Sequence, residues 1–470
     1  MSATDRGAFG SKIGFILASV GAAVGLGNLV LFPFRTATNG GAAFVVVYIG
    51  MLFVVGIPAL LAEMAIGRRY RLNPYGAYRN GGHDWSMARG RPGGGRGFAV
   101  VGVLAIIASI LLLSYYTVIT GWAIDYTFNA FTRSYLDDAT GHFVAISSGP
   151  YTLFLHALVM MGTVFVVAQG VSKGIERAVM VMMPVLFLTV FGIMVYALFS
   201  SGVAEGLSFY LSPDFSELTA TSFVDAAGQT FFSIGIGFGL MVTYASYMSR
   251  DSDLPKDASM ISFADFGVAL MAGFMLFPLV FAFGLQGELS ASSFGMLFQV
   301  LPTAFGAMPS ALGIGLSFIF FLALTFAALS SAIALLEVGV ATLVDEWGVS
   351  RAKAATLAGL VAYIVGIGSA ISGGYLARAD VLMANVVLIA SGLALSVFAG
   401  WFLPGLAASI DEGARVRVGS FTVWMLRIVV PVVLILSFVM AAESTCGTFF
   451  SDASGDAWSG CETLRVDLGA

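Results

Sequence analysis

Long apolar runs dominate this chain and limit what it can fold into. Each is about 20 residues long or longer, the length at which a helix crosses the hydrocarbon core of a bilayer. Hydrophobic residues make up 58% of the sequence and charged residues 10%, a balance that excludes an ordinary soluble domain. We predict an all-α polytopic membrane protein with eleven transmembrane helices, near residues 12–35, 42–66, 99–124, 151–169, 176–200, 224–247, 260–283, 310–341, 354–373, 381–405 and 421–441.

Positive charges predict how this bundle lies in the membrane. Arginines crowd the connection between the second and third runs, at positions 68–96, and lysines or arginines recur in alternate connections after it. By the positive-inside rule these connections face the cytoplasm. We therefore expect a multi-pass protein of the cell membrane with its amino terminus inside and, with eleven helices, its carboxyl terminus outside. The same rule explains the arginine cluster without a nucleic-acid partner.

Two of the apolar runs contain glycine-rich stretches where an unbroken helix is expected. The first run carries Gly25, Leu26 and Gly27 followed by Asn28, and the sixth carries three glycines within residues 235–239. Each glycine costs about 1 kcal/mol of helix propensity relative to alanine. In lipid, backbone released from a helix is tolerated only where it is buried in protein or lines a cavity. We therefore predict two discontinuous helices with a binding site at the breaks; the alternative is that these glycines serve only close helix packing.

The position of the two breaks predicts a class of function. Interrupted helices at corresponding places in the two halves of a chain are typical of an inverted-repeat secondary transporter, whose site lies near the middle of the membrane. A membrane enzyme is disfavoured, because His83, His142 and His156 are scattered and form no metal-ligand or nucleophile-base pattern. A channel and a non-transporting receptor or sensor remain as alternatives at this point.

Several segments resemble the neurotransmitter:sodium symporter family, and they follow one another in the family's order. They are residues 21–28 (GAAVGLGN), 32–33 (FP), 39–41 (NGG), 171–177 (VSKGIER), 225–233 (DAAGQTFFS), 243–247 (TYASY) and 329–334 (LSSAIA). The family usually has twelve helices, and prokaryotic members with eleven are known. The resemblance implies a LeuT-type fold, a 5+5 inverted repeat in which helices 1 and 6 are discontinuous.

The resemblance also implies how the chain is divided. A single transporter domain would span residues 1–441, with the first repeat at about 6–200, the second at about 220–405 and helix eleven at about 421–441. Residues 442–470 would then form a polar extracytoplasmic tail, which holds the only two cysteines, Cys446 and Cys461. Outside the membrane these cysteines can form a disulfide; two unpaired thiols on a disordered tail are the alternative.

The family's substrate is an amino acid or a related amine, and the residues at the first break suggest which. The amides of Leu26 and Gly27, at the start of the outer half-helix, offer donors and positive potential to a carboxylate. Tyr116 matches the family tyrosine whose hydroxyl also binds that carboxylate. Carbonyls of Ala23, Phe232 and Ser233 would meet the substrate ammonium. Monoamine carriers of the family place an aspartate where this chain has Gly25, so a substrate that brings its own carboxylate is expected.

The substrate's side chain would lie in an apolar pocket. The resemblance assigns its walls to Leu112, Tyr116, Ile119, Phe232, Gly235, Phe238, Ser331 and Leu335. Some bacterial relatives carry serine where this chain has Gly235, which suggests room for a larger substrate, although Leu112 and Leu335 can refill that space. We expect a neutral L-amino acid with a hydrophobic or aromatic side chain.

Two sodium ions are expected, bound by the oxygen ligands that a hard cation requires. The first site would use the Ala23 carbonyl, Asn28, Ser233, Asp265 and the substrate carboxylate, so that ion and substrate bind together. The second would use the carbonyls of Gly21, Val24 and Ala327 with the hydroxyls of Ser330 and Ser331. No organic cofactor is expected, and the oligomeric state is not predictable from the sequence.

Asp265 departs from the pattern of many family members, which carry asparagine there and need chloride to balance the sodium charge. Tyr48, Gln229 and Ser233 would surround the chloride position, with Ala269 where other bacterial relatives place a glutamate. A charge buried in a membrane bundle is costly and usually functional. We hypothesise that the Asp265 carboxylate replaces chloride; the alternative is an aspartate paired with a neighbouring group.

The resemblance assigns gates on both sides of the site. Arg6 and Asp345 match the inner ion pair, supported by Ser246 and Tyr247. Asp380 matches the acidic half of the outer gate, but the family's arginine position holds Leu31, and we predict that Arg35, one turn further out, replaces it. Phe232 and Tyr116 would form an aromatic lid below. Two other buried acids, Glu63 and Glu337, are expected to accept hydrogen bonds from backbone amides at the breaks, with a proton relay as the alternative.

These expectations together predict sodium-coupled symport of a neutral L-amino acid into the cell by alternating access, without a need for chloride. The expected partners are the amino acid, sodium and the lipid bilayer. A non-transporting receptor or sensor on the same scaffold is the remaining alternative to transport.

Overall fold

A computed structural model describes residues 7–91, 93–288, 293–450 and 461 of the chain. Within these residues the secondary structure is helical throughout, with no strand. The helices are α1 (Lys12–Ala23), α2 (Gly27–Thr38), α3 (Ala42–Tyr70), α4 (Pro74–Ala88), α5 (Arg96–Asn129), α6 (Ser134–Asp137), α7 (Ala139–Ile146), α8 (Pro150–Ala168), α9 (Val171–Ala197), α10 (Val203–Leu211), α11 (Ala220–Ile234), α12 (Leu240–Ala245), α13 (Leu254–Ala282), α14 (Leu301–Gly306), α15 (Ser310–Trp347), α16 (Arg351–Ile371), α17 (Gly373–Phe402), α18 (Leu406–Asp411), α19 (Gly419–Met440) and α20 (Ala442–Phe449). The predicted all-α class is confirmed.

The number of membrane-spanning helices comes close to the predicted eleven. In the described part of the chain nine single helices are long and apolar enough to cross a membrane, and the pair α1 and α2 adds a tenth span bent by 49°. The remaining predicted run, residues 224–247, is divided between α11 and the six-residue α12. It therefore does not pass as one continuous span, and the count of eleven stays a prediction.

The centre of the bundle is built around α15. This helix packs along α5 for much of its length, and 78% of its most apolar window is buried, against 28% for α19. The first half-helix, α1, packs on α15, α9 and α13, while α12 packs on α3. Both interrupted helices are thus enclosed by continuous ones, which supply the buried partners that interrupted backbone needs in a membrane.

The last helix that the structure describes packs against the bundle. Helix α20 follows α19 after a single residue and packs against α17. Its Cys446 is joined to Cys461 by a disulfide, with 5.5 Å between the Cα atoms. Of the two possibilities left open by the sequence, the structure therefore has the bonded pair.

Candidate functional site

The first break separates α1 from α2 at the depth of the bundle core. Val24, the residue after α1, is extended (φ −70°, ψ 109°), and a helix with wide turns restarts at Gly27. Because Val24 leaves the helical conformation, the last carbonyls of α1 are not all used by backbone amides further along. These freed carbonyls and the amides that begin α2 surround the point where the helix direction changes.

The second break, residues 235–239, has a left-handed backbone that depends on glycine. Gly235, Gly237 and Gly239 have φ values of +73°, +86° and +70°, which residues with a Cβ rarely adopt. Buried side chains satisfy the interrupted backbone: Glu63 Oε1 accepts from the Gly237 amide at 2.9 Å. The prediction for Glu63 agrees with this geometry.

Two further side chains, which the sequence did not identify, hold the second break. Ser391 donates to the Gly237 carbonyl and Ser109 to the Phe238 carbonyl, at 2.5 and 3.0 Å. The prediction for Glu337 was wrong, because its carboxylate lies beside Arg351 (2.5 Å) and accepts from the Tyr247 hydroxyl (2.8 Å). A nearby arginine from α16 provides a stronger partner than a backbone amide.

The predicted carboxylate site lies where α2 begins. The Leu26 amide donates to the Tyr116 hydroxyl oxygen at 3.0 Å, so the tyrosine and the amide predicted to bind one carboxylate already face each other. Gly25 is packed against the same hydroxyl. A Cβ at this position would overlap the Tyr116 oxygen and would lie 2.7 Å from Ser331 Oγ. Only a residue without a side chain fits here.

A small cavity of about 20 Å³ lies beside this site. It is lined by Ala22, Ala23, Gly25, Gly27, Leu112, Tyr116, Phe232, Gly235, Phe238, Leu240, Ser331 and Leu335. Most predicted pocket residues are therefore brought together, but Ile119, Leu26 and Ser233 do not line the cavity. The lining contains no charged side chain.

Leu240 is the main residue of the cavity that the sequence analysis missed. It is the first residue of α12, and its Cδ1 atom lies 2.9 Å from where a Cβ on Gly235 would be. The space that Gly235 leaves is therefore occupied by Leu240, and not by the predicted Leu112 or Leu335. The positive φ of Gly239 turns the chain at this point; the glycines predict the break, but they do not predict that Leu240 enters the cavity.

The predicted first sodium site is a closed polar cluster. Asn28 donates to the Asp265 carboxylate at 2.8 Å and to the Ser233 hydroxyl at 3.1 Å, while Ser233 donates to the other Asp265 oxygen at 2.8 Å. Asn28 also accepts from the Gly25 amide at 3.0 Å. All three side chains are buried. Ala23, the remaining predicted ligand, lies on the cavity wall close by.

Asp265 is a buried acid without a cationic partner. No lysine or arginine of the described residues forms an ion pair with it. The Tyr48 ring packs on that of Phe266, the next residue, at 6.0 Å, and Ala269 is fully buried one turn further along. Gln229 donates to the Gly27 carbonyl at 2.7 Å. The surroundings hold polar groups but no residue that would neutralise the carboxylate.

The predicted second sodium site lies on the opposite side of the first break. The Ser331 hydroxyl is 3.3 Å from the Gly21 carbonyl, 3.5 Å from that of Val24 and 3.3 Å from that of Ala327. Ser330 donates to the Ala327 carbonyl at 2.9 Å. The Ser331 hydroxyl thus lies within 3.5 Å of all three predicted carbonyls, and the Ser330 hydroxyl bonds to one of them. The chemistry of this donor set fits a hard monovalent cation.

The predicted inner gate is described only in part. Arg6 lies outside the described residues. Asp345 accepts hydrogen bonds from the Asn73 amide and side chain at 2.9 and 3.1 Å. Ser246 donates to the Thr243 carbonyl of its own helix at 2.6 Å, and Tyr247 points to Glu337, so both predicted supports also have other partners.

The two residues of the predicted outer gate have other partners in this structure. Arg35 and Asp380 line one cavity of about 370 Å³ together with Leu31. Arg35 donates to the Asp225 carbonyl at 2.8 Å, and Asp380 accepts from the Tyr115 hydroxyl at 3.0 Å. Within the described residues the two do not form a direct ion pair. We call this cavity of about 370 Å³ the vestibule. Phe232 lines both the vestibule and the inner cavity and so separates them.

Comparison with known proteins identifies the group to which this arrangement belongs. The sequence profile of the sodium:neurotransmitter symporter family matches residues 6–148 and 147–452. The uncharacterized sodium-dependent transporter YhdH of Bacillus subtilis (strain 168) is 34% identical over 450 residues, which cover 91% of this chain and 96% of that protein. The human sodium-dependent neutral amino acid transporter SLC6A17 is 28% identical over 316 residues, 60% of this chain and 41% of that protein.

A solved structure extends the likeness to the fold. The crystal structure of MhsT in complex with L-phenylalanine superposes with a TM-score of 0.82 at 35% sequence identity, covering 93% of this chain and all of that one. The chain therefore has the LeuT-type fold and is a multi-pass membrane protein. On the profile match and the relatives together, the chain belongs to the sodium:neurotransmitter symporter family, a family of transporters and not of enzymes.

Proposed function

We propose that this protein couples the inward flow of sodium to the uptake of a neutral L-amino acid with a hydrophobic or aromatic side chain. The observation that carries the proposal is the first helix break, where one apolar cavity lies between two clusters of oxygen ligands. One cluster contains Asp265 and the other contains Ser331. Family membership supports sodium coupling, and the names of the relatives support an amino acid as cargo.

The lining of the cavity favours this class of substrate. The Leu26 amide and the Tyr116 hydroxyl face each other at this site and offer two groups to a carboxylate. Apart from Tyr116 and Ser331, the side chains that line the cavity are apolar, and none is charged. A charged side chain would have no partner there and would carry a large desolvation cost. The L-phenylalanine in the MhsT structure supports an aromatic ligand for this chain as well.

A cavity of about 20 Å³ holds about one water molecule, so substrate entry requires side chains to move. Phe232 and Leu240 are the obvious candidates. Phe232 is only partly buried and separates the cavity from the vestibule, while Leu240 fills the space beside Gly235. We propose that both side chains turn away from the cavity when an amino acid binds.

The first sodium ion would bind next to the substrate. Asn28, Ser233 and Asp265 form one hydrogen-bonded cluster, and the substrate carboxylate at Leu26 would complete it. The negative charge of Asp265 balances the ion in a region of low dielectric constant, where an unbalanced charge is costly. Transport would therefore proceed without chloride.

The second sodium ion would connect α1 to α15. The carbonyls of Gly21, Val24 and Ala327 are bridged by a single hydroxyl in the present structure, and an ion at their centre would pull the same groups together. Because α1 is a half-helix, its position relative to α15 depends on such cross-links. Ion release would free α1 to move, which is the motion that alternating access requires.

Replacing Ser331 by alanine is expected to lower sodium affinity at least tenfold. The change removes the one side-chain oxygen that faces all three carbonyls, and a buried ligand of a cation is worth about 1.5–3 kcal/mol. Sodium titrations of amino-acid binding measure the effect. Thr163→Val is the matched control, because the buried Thr163 hydroxyl bonds only to its own helix at Val159. Equal sodium affinities in the two variants would contradict the second site.

Arg35 would replace the missing outer-gate arginine when the vestibule closes. It lines the same cavity as Asp380, and closure would bring the two side chains together in place of the Asp225 carbonyl. Arg35→Gln is expected to lower uptake severalfold and to speed substrate release, measured by uptake and washout of labelled amino acid. Arg133→Gln, whose guanidinium pairs with Asp137 at another part of the surface, serves as control. Unchanged uptake and washout in Arg35→Gln would exclude this role.

The membrane arrangement is part of the same proposal. The arginine-rich end of the bundle would face the cytoplasm and the α20 end the outside, with one transporter domain over residues 1–441 and two inverted repeats at about 6–200 and 220–405. Arg6 would close the inner gate with Asp345.

Uptake into sealed proteoliposomes distinguishes transport from sensing. With an inward sodium gradient, labelled hydrophobic or aromatic L-amino acids should accumulate above the external concentration, and dissipating the gradient should release them. Sodium-dependent binding without accumulation would instead identify the receptor or sensor.

A further inference from the structure

A long apolar groove runs along the outside of the bundle, away from the substrate cavity. It has a volume of about 610 Å³ and lies between α5, α15 and α16. Ile107, Leu357 and Val361 form its rim and are 49%, 48% and 52% exposed. Its volume falls within the range of about 300–1,000 Å³ that is typical of clefts holding small molecules. Because the groove lies on the outer surface of membrane-spanning helices, it faces the lipid chains.

One end of the groove is marked by groups that belong at a membrane surface. Trp347, the last residue of α15, lines the groove and is 68% exposed; tryptophan concentrates at the boundary between lipid tails and headgroups. Glu346 also lines this end and is held by Arg79, with 2.8 Å between the charged groups. The polar end of the groove is therefore fixed in position by an ion pair.

A lysine stands at this same end. Lys353 precedes Leu357 by one helical turn and Val361 by two, so it shares their face of α16. Its side chain is exposed and forms no ion pair among the described residues. A lysine that lies along apolar surface keeps its ammonium group at the level of the lipid headgroups. Lys353 thus offers an uncompensated positive charge at the mouth of the groove.

The polar end is also linked to the predicted inner gate. The Asn73 side chain donates to Glu346 at 3.2 Å and to Asp345 at 3.1 Å. Asn73 therefore connects Glu346, at the mouth of the groove, to Asp345, the acid of the predicted inner gate. Together with the ion pair of Arg79 and Glu346, this network connects the groove's mouth to Asp345.

We propose that this groove is a binding site for an anionic phospholipid. One acyl chain lies between α5 and α16, and the phosphate and negative headgroup lie against Lys353 and the exposed part of Arg79. The apolar walls recognise the chain, and the positive charge at the Trp347 end selects anionic lipids over zwitterionic ones. The site is separate from the substrate cavity and does not depend on the transport proposal.

Quenching of Trp347 fluorescence by brominated lipids tests the proposal. The full-length protein is placed in phosphatidylcholine bilayers that contain increasing fractions of phosphatidylglycerol or phosphatidylcholine brominated on the acyl chains. The Trp347 signal is the difference between wild type and Trp347→Phe. Half-maximal quenching is expected at a mole fraction about fivefold lower for phosphatidylglycerol, the factor that one cation contributes at a membrane surface. Lys353→Gln should remove this preference.

A matched pair of variants tests whether the chain enters the groove. Val361→Phe fills the rim and should weaken quenching by both lipids, whereas Leu360→Phe, on the neighbouring exposed face, should leave quenching as in wild type. Equal quenching by the two lipids in wild type would overturn the headgroup preference. The site itself would be overturned if the two phenylalanine variants behaved alike. It would also be overturned if no lipid quenched Trp347 because a second copy of the chain covers it.

Discussion

Replacing Asp265 by asparagine is expected to make sodium-dependent amino-acid binding require chloride. The change keeps the size of the side chain and one of the two oxygens that accept from Asn28 and Ser233, but it turns the other oxygen into an amide donor and removes the charge that would balance the ion. Loss of one partner of a buried charge pair costs about 3–5 kcal/mol. In gluconate, sodium affinity should therefore fall by far more than tenfold, and chloride near Tyr48 and Gln229 should restore part of it. Binding measured in sodium gluconate and sodium chloride checks both effects.

Ser262→Ala is the control for this result. Ser262 lies on the same helix, is fully buried and has a hydroxyl without a hydrogen-bond partner among the described residues. Its removal should leave sodium affinity and chloride independence unchanged. If Asp265→Asn binds sodium in gluconate as wild type does, the carboxylate has a structural role and does not stand in for chloride.

Replacing Gly25 by alanine is expected to lower amino-acid affinity at least a hundredfold. The new Cβ would overlap the Tyr116 hydroxyl and lie 2.7 Å from Ser331 Oγ. It would thus disturb the carboxylate site and the second sodium site with one methyl group. Overpacking of a rigid core costs about 1–3 kcal/mol. Because the same methyl group disturbs two sites whose ligands bind together, the two costs add, and affinity should fall by at least a hundredfold. Equilibrium binding of the preferred amino acid in saturating sodium measures it.

Gly50→Ala provides the comparison, since a Cβ at Gly50 meets no atom within 4 Å. This variant should bind as wild type and should be at least as stable to heat, because alanine favours the helix over glycine. A Gly25→Ala protein that is folded and binds normally would show that the substrate carboxylate does not approach the Leu26 amide.

The sequence predicts the helical fold and the two breaks because their signals are local. Apolar length marks a membrane helix, and glycines within such a run mark the places where the helix stops. The second break needs glycine at three positive φ values, and the residues are present in the sequence. The end of α15 at Trp347, six residues beyond the predicted end at residue 341, shows that helices continue past the apolar run into polar surface.

Partners that come from distant helices are harder to predict. The resemblance predicted that Asn28, Ser233 and Asp265 form one cluster, and in the structure they lie within hydrogen-bond distance of one another. The sequence does not identify Ser391, which donates to the second break, because a serine in a membrane helix usually bonds to its own backbone. Glu337 was assigned to a backbone amide because Arg351, fourteen residues away, was not recognised as its neighbour.

The size of the cavity also depends on detail that the sequence lacks. Gly235 suggests space, but Leu240 enters that space because α12 begins directly after a left-handed Gly239. Whether Leu240 stays there with substrate bound decides how large an amino acid fits. On the proposed function, substrate size would therefore depend on the Leu240 rotamer, which a residue pattern does not encode.

The central claim is that sodium and a neutral amino acid bind together at the first break without chloride. Binding of a panel of L-amino acids to the purified protein, in sodium and potassium buffers with chloride or gluconate, tests this most directly. The account predicts that hydrophobic or aromatic L-amino acids bind only in sodium and bind equally well in gluconate. Binding of equal strength in potassium, or no binding of any neutral amino acid in sodium, would contradict it.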